Sequence, residues 1–114
     1  MFIYSESNKK KFLVNEKLEK LAKETLIEEE MFELIKIENP FINREIAKNV
    51  NITVEVMNCL LQDKYSAYTM NTHIAKNPKL TKEIKEKLYL IADNQYKEST
   101  MREELDLIFS KMEK

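Results

Sequence analysis

Three times along the chain an aliphatic residue is followed by Ala, Lys and a polar residue: Leu21-Ala22-Lys23-Glu24, Ile46-Ala47-Lys48-Asn49 and Ile74-Ala75-Lys76-Asn77. The copies are offset by 25 and then 28 positions, and downstream residues agree too. Ile27, Glu30 and Met31 align with Ile52, Glu55 and Val56, and these with Leu80, Glu83 and Ile84. Upstream, Ile42-Asn43-Arg44-Glu45 lies against Met70-Asn71-Thr72-His73, and Met101-Arg102-Glu103-Glu104-Leu105 reads as a decayed fourth copy. A period of 20 to 50 residues marks a stacked array, in which one helix pair cannot hide its apolar face alone and leans on its neighbours. The repeat predicts about three stacked units.

Composition decides what the units are made of. The 114 residues contain no Gly and two Pro, which disfavours tight hairpins and favours helices. The expected fold is all-α, a short α-solenoid-like stack of helix pairs. Residues 1–114 read as a single helical domain, with N-terminal helices over 1–38 and repeat units over 39–114. Apolar residues at helical spacing (Phe12, Leu18, Leu21, Ala22, Met31, Leu34 and Ile35) give the first stripe. Thr25 with Glu28 fits a capping box that opens a helix near Leu26. Asn39-Pro40 marks the next boundary, because the residue before proline is pushed out of the helical region. Thr53 and Thr81 read as N-caps, with Ile52 and Met57 placed as a hydrophobic staple around the first. Thr100 with Glu103 opens a last helix through Met112, striped by Met101, Leu105, Ile108 and Phe109.

Within the unit, Ala47 and Ala75 are small where a short helix presses on the next element; a larger side chain there overpacks by roughly 1 to 3 kcal/mol. Asn49 and Asn77 end that helix. In a chain without Gly, Asn is the residue best able to take the left-handed backbone of a helix C-terminus, and Pro78 then forbids continuation.

The pattern Ile-Ala-Lys-Asn-Pro-x-Leu-Thr-x-Glu-Ile, with Asp63 and Asp93 after the helical stripes, resembles the leucine-rich repeat variant and HEAT-like α-solenoids over residues 40–105. The resemblance implies a right-handed stack of longer and shorter helices used for binding other macromolecules. The chain departs from the family in having Val50 where the third copy has Pro, and Asn71 where the family has Arg. The clustered cysteines of one iron-sulfur branch are missing, so that function is not implied.

No catalytic or cofactor motif stands out, and the expected function is a non-catalytic protein-binding adaptor, inhibitor or modulator, with no cofactor and no metal. Cys59 stands alone and reads as a small core hydrophobe; with His73 fourteen positions away it makes no metal spacing. The lone cysteine, a first dozen residues without a signal-type apolar run, and the absence of a stretch of roughly 20 apolar residues point to a cytoplasmic protein that does not enter a membrane. Residues 24–38 hold six glutamates against Lys36, whereas residues 76–87 hold five lysines against Glu83 and Glu86. Tyrosines near unit junctions suit an interface, so Tyr65, Tyr68, Lys79 and Lys82 are the candidate contact residues. An apolar end at Phe109 and Met112 would suit a homodimer. The alternative is a DNA-binding helix-turn-helix over residues 44–61, with Ala47 at the helix contact; its second helix carries Glu55 and no Lys or Arg to meet nucleic acid phosphates.

Overall fold

A computed structural model describes residues 16–112. These form seven helices and no strand: α1 (residues 16–24 in its described part), α2 (Glu28–Ile35), α3 (Pro40–Lys48), α4 (Val54–Leu60), α5 (Tyr68–Lys76), α6 (Lys82–Gln95) and α7 (Met101–Met112). The all-α architecture matches the sequence reading. Phe12, the first residue of the expected stripe, lies outside the described residues.

The helices stack in two layers. In the first, α3 packs on α5 and α5 on α7; in the second, α2 packs on α4 and α4 on α6. Short turns join the layers within each pair, and α3 with α4 and α5 with α6 complete the units. This is the neighbour-on-neighbour contact pattern of stacked helix pairs, compatible with a small solenoid-like array. Equivalent positions share equivalent surroundings. Ile42, Asn43, Ile46 and Ala47 of α3 are all buried, and so are Met70, Asn71, Ile74 and Ala75 of α5.

Local chemistry explains where the helices begin. The Asn39 side chain accepts from Phe41 N (2.9 Å) and Ile42 N (3.4 Å), while Pro40 occupies the first turn of α3, where its missing N–H costs nothing. Thr53 Oγ1 accepts from Val56 N and Thr81 Oγ1 from Ile84 N, both at 3.2 Å, as expected of N-caps. Thr25 behaves differently. Its hydroxyl accepts from Ile27 N at 3.2 Å in a local turn, and α2 starts at Glu28 behind Ile27 without a side-chain cap. The first turn is consequently one residue out of step with the other two, and Ile27 is exposed although its counterpart Ile52 is buried.

Asn49 and Asn77 do terminate α3 and α5, but not in a left-handed conformation. Both backbones are extended, at φ −66°, ψ 121° and φ −71°, ψ 133°. The one described residue with positive φ is Glu38, at 60°, in the turn between α2 and α3. What selects asparagine is its side chain. Asn49 Nδ2 donates to the carbonyls of Ala22 (3.0 Å) and Thr25 (2.8 Å), one unit back. Asn77 Nδ2 donates to the carbonyls of Ala47 and Asn49, both at 2.9 Å. The amide oxygen of each accepts from the backbone N–H two residues on, Asn51 and Lys79. Both side chains are buried, so every one of these bonds replaces water that is no longer present.

Helix α7 departs from the repeat. On α7 the places of Asn71 and Ala75 are taken by Arg102 and Asp106, both exposed. Arg102 grips Asp93 of α6 with two 2.7 Å bonds and lies over the Tyr89 ring (4.8 Å), while Asp106 accepts from the Tyr89 hydroxyl at 2.5 Å. Phe109, expected at an apolar end, is buried against Tyr89 and under Lys85 Nζ.

Because Asp retains the acceptor but loses the paired donors, Asn77→Asp separates the two roles of this residue. The expected loss is about 3 kcal/mol or more for Asn77→Asp and a similar amount for Asn77→Ala, against about 1 kcal/mol for Thr81→Ala, measured by urea denaturation. An Asn77→Asp variant as stable as the parent would remove the amide from its structural role.

Candidate functional site

The residue after each buried Ala faces solvent, since a helix turns about 100° per residue. Lys48 of α3 and Lys76 of α5 therefore stand side by side on the outer face of the first layer, both exposed. Arg44 and His73 lie between them, each half-buried. Burial lowers the His73 imidazole below its ordinary pKa, and the positive charges of Lys48, Lys76 and Arg44 lower it further, with Glu45 opposing them. Glu45 also bonds Lys48 Nζ at 3.3 Å. The Arg44 guanidinium sits 5.3 Å over the exposed Phe41 ring, and its buried Nε has no hydrogen-bond partner among the described residues.

One helix further along, a trough of about 400 Å³ opens between α5 and α7. Leu107, Ile108 and Met112 supply apolar walls, with Lys76, Lys111 and Glu104 at the rim. Leu107 is 55 % exposed and Met112 43 %, large apolar surfaces left in water. Glu104 is already engaged, accepting from the Tyr68 hydroxyl. Among the described residues neither Lys76 nor Lys111 has an ion-pair partner. The face is thus cationic with an apolar trough.

A second, shallower groove of about 320 Å³ lies on the other layer between α4 and α6, lined by Asn58, Leu61, Gln62, Lys87, Leu90 and Ile91. Leu90 is 61 % exposed there. Lys87 Nζ donates to Asn58 Oδ1 across it, and Gln95 Nε2 to Asp63 Oδ1 at 2.8 Å.

The four residues singled out from sequence do not meet in one patch. Tyr65 and Tyr68 lie before and at the start of α5, and Lys79 and Lys82 beyond its end, about 13 Å away at the helical rise. Tyr68 ties α5 to α7 through Glu104, which raises its phenol pKa, and meets Tyr96 edge-on at 5.6 Å. Tyr65 is half-buried under Lys64 Nζ (4.7 Å). Lys79 and Lys82 are exposed at the turn into α6. The lysine-rich stretch 76–87 likewise divides: Lys76 joins the outer face of the first layer, Lys85 covers Phe109 and Lys87 reaches Asn58. Sequence reasoning missed the cluster of Arg44, Lys48, His73, Lys76 and Lys111, although the Ala-Lys pair recurring in each copy was its signal.

Among the described residues no three His, Cys, Asp or Glu side chains gather to hold a metal, and no helix is long and apolar enough to cross a membrane. The Cys59 thiol is half-buried and its pKa is raised, chiefly by burial. Comparison of the chain with protein-family models, with curated proteins and with solved structures gives no match.

A histidine whose folded pKa is depressed takes up a proton more readily unfolded, so its contribution to stability is complete above the unfolded value of about 6.5 and is lost as pH falls from there through the lowered folded value. His73→Gln should flatten the decline of thermal midpoint between about pH 7 and pH 5 relative to the parent. Parallel curves would show that neither burial nor the neighbouring cations hold this imidazole below its ordinary value.

Proposed function

We propose that the chain is a short, non-catalytic α-solenoid whose work is to bind another macromolecule, a protein in the first instance. The observation carrying this reading is where large apolar side chains remain outside a core that is already filled. Leu90 stands in the groove between α4 and α6, and Leu107 and Met112 in the trough between α5 and α7. Apolar surface left in a concavity between rigid neighbouring helices is the usual mark of a contact site. Stacked units hold such grooves in register without needing a deep cavity.

The helix-turn-helix reading of residues 44–61 has less behind it. Helix α4 is held between α2 and α6, so its outer side is flanked rather than protruding, and Asn58 is engaged by Lys87. A recognition helix enters the major groove only if its face is free to approach the bases.

Affinity capture with the full chain, quantified by mass spectrometry beside a Leu90→Asp and a Leu107→Ser variant, tests the proposal. Both positions are exposed, so thermal midpoints should hold while at least one variant loses about tenfold in recovery of a specific protein. Turnover in an unbiased metabolite screen would count against a binding role. Sequence-selective DNA binding lost in Asn58→Ala would favour the helix-turn-helix reading instead.

A further inference from the structure

Resting on that reading, we propose that the outer face of α3, α5 and α7 docks an acidic amphipathic helix of a partner protein. Its apolar side would lie in the trough of Leu107, Ile108 and Met112, and its carboxylates on Lys76, Lys111, Lys48 and Arg44. Two features of the face select this occupant. The cations crowd one another: three from two helices bear on His73, while of the acids nearby Glu45 is bonded to Lys48, Glu104 accepts from Tyr68, and Glu103 lies toward Tyr68. An anionic partner relieves that crowding. The trough between the lysines is apolar, and its exposed Leu107 and Met112 gain nothing from a phosphate backbone but are covered by the apolar side of a helix.

The dimensions agree. A helix is about 10 to 12 Å across with its side chains, and packed helices lie about 8 to 10 Å apart. A helix seated between α5 and α7 has its axis about one and a half spacings, roughly 12 to 15 Å, from α3, so Lys48 and Arg44 meet its acids through extended side chains. Acids at intervals of three and four residues on either side of an apolar stripe meet lysines on both rims.

The probe is a fluorescent peptide of about 16 residues, helical, with Leu along one stripe and Glu flanking it, added to the full chain at about 50 mM salt. Comparison probes are a scrambled peptide of the same composition, a Lys-for-Glu peptide and a DNA oligonucleotide of equal charge. The acidic amphipathic peptide should bind at least about tenfold tighter than the other three and weaken as salt is raised. Affinity should fall about tenfold in a K48E/K76E/K111E variant, return in K48R/K76R/K111R, and fall severalfold in Leu107→Ser. All these positions are exposed, and far-UV circular dichroism checks that each variant is folded.

Tighter binding of the oligonucleotide, indifferent to Leu107→Ser, would replace the helix by nucleic acid and overturn the proposal. Failure of the acidic peptide to bind, or equal binding of the scrambled one, would also overturn it. If affinity capture recovers a protein that ignores the lysine reversals but is lost in Leu90→Asp, this docking face is wrong and the general binding role stands; if nothing is captured, the role itself fails.

Discussion

The structure depends on a side-chain amide that donates twice. A carboxamide is the only neutral side chain with two N–H donors on one atom and a carbonyl acceptor beside it. At the end of α3 and again at the end of α5 that geometry is used in full: the nitrogen reaches two carbonyls of the unit before, and the oxygen holds the turn that leads into the next helix. Helix ends leave carbonyls without intrahelical partners, and in a stack they would be buried against the neighbour with nothing to bond. Asn49 and Asn77 answer that need from a distance of 24 to 30 residues. Serine or threonine would supply one donor, aspartate none.

Once the turns are latched, the rest of the packing follows. The carbonyls of Ala22 and Ala47 are among those latched, Ala47 and Ala75 are small enough for the next helix to approach, and buried aliphatic residues fill the space between layers. The outer faces are then left for charge. Because the copies repeat in space as well as in sequence, a lysine at one position of the repeat becomes a row of lysines, and a modest local charge becomes a directional surface. The net charge of −1 conceals this, since acids gather elsewhere: three of the four glutamates of α2 lie in its first turn, where the helix dipole favours them.

Much of the fold was legible because its signals are local or periodic. Thr53 and Thr81 lie three residues from the N–H groups they cap, Asn39 and Pro40 carry their own boundary, and the aliphatic stripes are read at three-and-four spacing. Asparagine at the helix ends was legible as a position but not as a mechanism, because its partners belong to another copy and the backbone alternative, a left-handed residue, looks the same in one dimension. The candidate site was legible only in part. Lys48 and Lys76 lie 28 positions apart, and their crowding around His73 arises from the contact of α3 with α5. Consecutive lysines in residues 76–87, by contrast, look like one patch when written out and point to three surfaces when folded.

The exchange of Asn and Ala for Arg102 and Asp106 on α7 has a consequence for how that helix is held. On α3 and α5 these two places are buried; on α7 they are exposed and turned onto α6. Two polar side chains thereby tie α7 to α6 from the solvent side. Clipping either side chain would therefore loosen α7 from α6 at the water-facing edge while its stripe of Met101, Leu105 and Ile108 stays seated.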